Sequence, residues 1–182
     1  MMTGHFTIPE ITQQLQAAEE KLSKFCSSLS DEQFFHQPDG KWSPAQQVKH
    51  LIISADRTRL AYTLPKFIVR WYTGKPNRPS RSYDKLVDKY KMKLEQGGKA
   101  SGTFIPEPIP ASYGKNKLLG QFVKAMDKLS EAIASTRKEN QMEDYLAPHP
   151  LLGKITLREL GYFTIHHTYH HLESIQKMTA GS

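Results

Sequence analysis

Four stretches of this chain repeat apolar side chains at alternating steps of three and four residues, the period that puts them on one face of an α-helix. Residues 8–29 carry Ile11, Leu15, Ala18, Leu22, Phe25 and Leu29 in this way, with Pro9 near the start where its missing N–H does no harm. A second helix opens at Trp42-Ser43-Pro44-Ala45-Gln46, where Ser43 can cap and Gln46 completes a capping-box spacing. Its core side is expected to hold Val48, Leu51, Ile52, Ala55 and Tyr62, and Pro65 should kink or end it. The third runs from about Lys115 to Arg137 through Leu119, Phe122, Met126, Leu129 and Ile133. Thr156-Leu157-Arg158-Glu159 is another capping box and opens a last helix that should reach about Met178. No stretch gives a convincing strand pattern. Four such stripes can be buried only against one another, so the expected fold is all-α, a four-helix bundle formed by residues 1–182 as a single domain.

Ser30-Asp31-Glu32 restarts a short turn leading into the polar stretch His36-Gln37-Pro38-Asp39-Gly40. The aromatic residues Phe67, Trp71 and Tyr72 follow Pro65, and core packing is the default for Trp71, Tyr72 and Tyr62. From Gly74 to Gly114 the chain is rich in proline and glycine, and only residues 82–95 read as helical. So long a connection is either an extended crossover between the second and third bundle helices or a lid or binding segment.

The formal charge of +7 raises the question of a nucleic-acid partner, since clustered cations attract phosphates. The cations are instead dispersed, and between Lys66 and Lys99 they are interspersed with Asp84, Asp88 and Glu95, the pattern of a solvated basic flap. The sequence therefore points away from nucleic acid. Cys26 is the single cysteine, which excludes an internal disulfide and a cysteine-ligated zinc cluster. Any metal must be held by imidazoles and carboxylates. No run approaches the roughly 20 apolar residues of a membrane span, and Met1 to His5 show no secretory pattern, so the expected location is cytoplasmic.

The last helical stripe is Leu157, Leu160, Thr164, His167, His171, Ser174 and Met178, so two imidazoles stand where apolar side chains are expected. Residues four apart on a helix have Cβ atoms roughly 6 Å apart, and both rings can reach one ion above that face. His166 and His170 form an equally spaced pair about 100° round the helix, but the core stripe favours 167 and 171. Two buried histidines satisfied by hydrogen bonds are the alternative reading. A third ligand could come from His5, His36, His50 or His149. His50 lies inside a helix, yet its own stripe of Gln47, Ser54 and Arg57 is polar, which would leave it at the margin of the core.

Trp42-Ser43-Pro44-Ala45-Gln46-Gln47-Val48-Lys49-His50-Leu51 and the late His167-Thr168-Tyr169-His170-His171 make the chain similar to the DinB/YfiT-like family of metalloenzymes. That resemblance implies His50, His167 and His171 as metal ligands, with His170 adjacent but not a ligand. It further implies an up-down-down-up bundle, commonly a homodimer, with nickel or zinc as the divalent metal. Many members carry Gln three residues after the final histidine where this chain has Ser174, which puts their usual contact to that ligand in doubt.

Three neutral imidazoles leave coordination positions open, as in catalytic rather than structural sites. The function expected is that of a metal-dependent enzyme on a small-molecule substrate, either a thiol S-transferase using a low-molecular-weight thiol or a hydrolase. The resembled family includes bacterial thiol transferases that use bacillithiol or mycothiol. The competing class is a non-catalytic helical binding protein with a structural metal or none. Asp56 and Glu173 are weak candidates for a general base, Arg57 and Arg59 for anion binding, and Tyr62, Trp71 and Tyr72 for a pocket wall.

Overall fold

A computed structural model describes residues 5–38, 40–136 and 138–180. In chain order the elements are α1 (Ile8–Ser28), α2 (Asp31–Phe35), α3 (Pro44–Thr63), α4 (Lys66–Thr73), α5 (Tyr83–Glu95), α6 (Lys115–Ala134), α7 (Gln141–Asp144), β1 (Leu146–His149), β2 (Gly153–Thr156) and α8 (Leu157–Thr179). The long helices α1, α3, α6 and α8 form a four-helix bundle. Thr7, Ser30, Ser43 and Thr156 each close a capping box, so four helix starts are fixed by residues local to them. Pro65 ends α3 rather than kinking it, and α6 stops at Ala134, short of Arg137, which lies outside the described residues.

Contacts between helix ends give the directions. Tyr62 near the end of α3 donates to the Leu157 carbonyl at the start of α8 (2.6 Å), so α3 and α8 are antiparallel. Phe6, just before α1, donates from its N–H to the Tyr162 hydroxyl near the start of α8 (2.7 Å), so α1 and α8 run together. Lys115 at the start of α6 reaches the Leu29 carbonyl past the end of α1, which sets those two antiparallel. The order is therefore up-down-down-up, with α1 and α3 on one diagonal and α6 and α8 on the other. Two successive "down" helices require the chain to return the length of the bundle, and Gly74–Gly114 makes that crossover.

Ile11, Leu15 and Leu22 of α1 meet Leu118, Phe122, Leu129 and Ile133 of α6 in the solvent-free core. Each such side chain contributes about 1.5–3 kcal/mol on burial. Gly161 brings α1 and α8 close, since a Cβ there would meet Ile11 Cγ2 at 3.0 Å.

Two sequence expectations change. Residues 146–156 form a two-stranded antiparallel ribbon, pairing Leu146 with Thr156 and His149 with Gly153, where no strand was expected. Each strand has only four residues, too few to display a period of two, and Pro148 further masks the pattern. Gly153 closes the turn at φ +73°, a conformation that favours glycine. Trp71 and Tyr72 are 86% and 69% exposed rather than packed in the core, because α4 lies outside the bundle and buries only Val69 and Thr73.

The crossover is tied down by a buried carboxylate. Glu159, fully buried in the first turn of α8, accepts from Arg78 through both oxygens (2.8 and 2.9 Å) and from the Arg81 N–H and guanidinium (each 2.9 Å). Burial alone would raise the Glu159 pKa, but these bonds and one from the Thr156 N–H outweigh it and hold the group below the usual carboxylate range.

Candidate metal centre

Gln47, His50 and Ser54 occupy the α3 face that turns towards α8, and all three are buried. The sequence pattern placed this polar face at the core margin; the structure buries it because the groups opposite are also polar. Across from it, α8 presents His167 and His171, both buried, while His166 and His170 are only half-buried. The inner register thus faces the bundle.

His50 Nε2 lies 3.1 Å from His167 Nε2, and His171 Nε2 lies 3.1 Å from the same atom. One nitrogen from each ring falls within 4.8 Å of the others. The far sides of two rings are anchored: His50 Nδ1 is 2.7 Å from the Phe104 carbonyl, and His171 Nδ1 is 2.9 Å from Gln47 Oε1. Neither oxygen can donate, so both rings carry their proton on Nδ1 and direct a bare Nε2 lone pair at His167. A single proton on His167 Nε2 can satisfy only one of them. His167 Nδ1 is itself buried without a partner among the described residues.

Converging lone pairs of this kind suit a cation. Burial, followed by the neighbouring imidazoles, pushes the pKa of His167 well down, and burial does the same for His171 and, to a lesser degree, His50. The rings are thus neutral, the form that binds a divalent metal. The donor set fits zinc or nickel, and two of its three members already have the outer hydrogen bonds that orient metal-binding histidines.

A cavity of about 620 Å³ opens beside His50 and His167. Its wall is mostly aliphatic and aromatic, with Leu60, Leu64, Val69, Tyr90 and Phe163; among the described residues it includes Arg57 and Lys99 but no carboxylate.

A family model described as the DinB superfamily matches residues 14–175. The chain belongs to that superfamily. The crystal structure of TT2238, a four-helix bundle protein, aligns with 94% of this chain and 99% of its own at a TM-score of 0.58 and 15% identity, a likeness of fold alone. A comparison with curated proteins gives no match.

Within this DinB superfamily chain Tyr72 lines the cavity, as its place among the pocket candidates required, and the remaining sequence candidates scatter. Asp56 and Glu173 are exposed, as is His36, and so is His5 ahead of α1. Arg57 reaches the cavity wall, while Arg59 does not and has its Nε buried without a partner among the described residues. Tyr62 is buried and spends its hydroxyl on Leu157. Sequence reasoning missed Gln47, Phe104 and Tyr90. Gln47 was legible as a polar side chain one turn before His50; Phe104 contributes only a carbonyl, which no side-chain pattern reveals.

Proposed function

We propose that this protein is a metal-dependent enzyme acting on a small molecule, in which His50, His167 and His171 hold one divalent ion, nickel or zinc. The observation that carries the reading is the three-ring cluster opening onto a large cavity, with its Nε2 atoms directed inward by Phe104 and Gln47. A divalent ion on three imidazoles supplies a Lewis acid that favours the ionised form of a bound thiol or water. The residues themselves keep the imidazoles neutral, fix their tautomers and exclude bulk water from one side.

Between the two reactions, thiol S-transfer is favoured. Hydrolysis gains from a carboxylate base, and among the described residues the cavity wall has none; Asp56 and Glu173 are exposed. A thiol held by the ion would lose its proton to solvent, and the thiolate would then attack an electrophilic carbon as the leaving group departs, with no carboxylate required. Cys26 cannot serve, because burial pushes its pKa up to about 12, so the thiol would be a separate low-molecular-weight substrate. Arg57 and Lys99 at the cavity offer charge partners for an anionic thiol cofactor.

The chain acts in this reading as a single domain, located in the cytoplasm, and as a homodimer. Among the described residues no helix is long and apolar enough to cross a membrane. Leu64, Phe67 and Trp71, at and just before α4, are exposed apolar side chains that a second copy would cover. Assays with low-molecular-weight thiols and electrophilic acceptors test the reading: a thiol-dependent rate that rises with metal occupancy supports it, and thiol-independent turnover of an ester or amide favours hydrolysis.

A further inference from the structure

The ribbon between α7 and α8 delivers a fourth imidazole to the cavity. His149 lies on the cavity wall, at the end of β1, and its ring centroid is 4.1 Å from that of Phe163, which in turn stacks on His167 at 4.8 Å. Its Nδ1 accepts two backbone N–H groups from the turn, Leu151 at 3.2 Å and Leu152 at 3.1 Å. Both are donors, so Nδ1 carries no proton and the neutral ring must carry it on Nε2. Among the described residues Nε2 has no hydrogen-bond partner.

The turn therefore fixes the tautomer of a donor-bearing ring on a wall that is mostly aliphatic and aromatic. Ser54, Thr58 and Tyr90 also line the cavity, but their hydroxyls rotate, and Arg57 and Lys99 are exposed, flexible cations. Burial holds the His149 pKa down to about 4, which keeps the ring in this form at neutral pH.

We propose that the cavity binds a small, mostly apolar molecule bearing a carbonyl or similar acceptor oxygen, and that His149 Nε2–H donates to that oxygen. The inference rests on the metal-enzyme reading for its link to catalysis, since it names the electrophile's class, but the binding itself requires no metal. An apolar wall supplies affinity by burial, and one fixed donor supplies orientation.

The test uses butyrophenone and butylbenzene, which share a carbon skeleton and differ at the carbonyl oxygen. Calorimetric titration into zinc-loaded and chelator-stripped protein is compared with the same titrations of His149→Asn. Asn can keep the acceptor that the turn requires while removing the far N–H. Butyrophenone affinity should fall about five- to tenfold in the variant and butylbenzene affinity should stay unchanged. His149→Gln, whose amide reaches further, should recover part of the loss. Equal losses for both probes, or no loss for either, would overturn the proposal, as would failure of wild-type protein to bind butyrophenone. Should His149→Asn not fold, the ring nitrogen shifts of ¹⁵N-histidine wild-type protein decide: Nε2–H must be present and must move with butyrophenone but not with butylbenzene. Ketone binding by protein that takes up no stoichiometric zinc when the metal is supplied would sink the metal-enzyme reading alone; zinc uptake without ketone binding would sink this inference alone.

Discussion

Gln47 accepts the Nδ1–H of His171 at 2.9 Å, across the interface between α3 and α8. Ser174, half-buried in α8, takes no part in that contact. If Gln47 orients the ligand, Gln47→Ala should lower metal affinity about 10- to 100-fold without unfolding the protein. Competition with a chromophoric chelator measures this, and Ser174→Ala should leave the value unchanged. Equal affinity in Gln47→Ala and wild type would remove Gln47 from the account.

The inner and outer histidine pairs separate by substitution. His171→Ala should abolish metal retention by untagged protein, whereas His166→Ala should keep it, because the His166 ring faces Tyr90 at 5.8 Å rather than the cluster. Elemental analysis of both variants decides, and the opposite pattern would place the ion on the other side of α8.

Much of the bundle was readable because its signals are local. Capping residues sit within three positions of the groups they satisfy, and the stripes of α1, α6 and α8 repeat often enough to show their phase. The phase drifts, however: a strict three-four series reaches Ser174, while the real helix buries Ile175. The meeting of His167 with His171 follows from one helix, but that of His50 with both depends on the α3–α8 pairing, and the resemblance, not the periodicity, pointed to it. The short ribbon was not legible because four-residue strands show no period, and the Phe104 carbonyl and the Glu159 anchor were not, because each joins chain segments far apart in sequence.

That anchor carries stability. Glu159→Ala leaves Arg78 and Arg81 without their partner and also removes the side chain that completes the α8 capping box. The expected loss is about 3–5 kcal/mol by urea denaturation. A loss under about 1 kcal/mol would mean that the crossover is held elsewhere.

Acid should weaken the metal-free protein before the carboxylates titrate. Burial lowers His149 and His166 from 6.5 to about 4, and the three clustered histidines and His170 shift the same way. The unfolded chain therefore binds more protons than the folded one below about pH 6.5. Stability is complete above that value and falls as pH drops towards 4. Glu159 and Glu143, also lowered, add their losses only below about 4.5, while Glu19, raised by burial, opposes the trend. Urea midpoints should drop between pH 7.5 and 5, and less so in His166→Gln. A flat profile over that range would contradict the buried, neutral imidazoles.

X-ray absorption at the metal edge of untagged protein, purified from metal-supplemented medium, tests the three-imidazole site most directly. One divalent ion per chain with three imidazole nitrogens at about 2.0–2.1 Å is the predicted result for zinc. Protein that retains no stoichiometric metal, or an ion whose shell lacks imidazole, would contradict it.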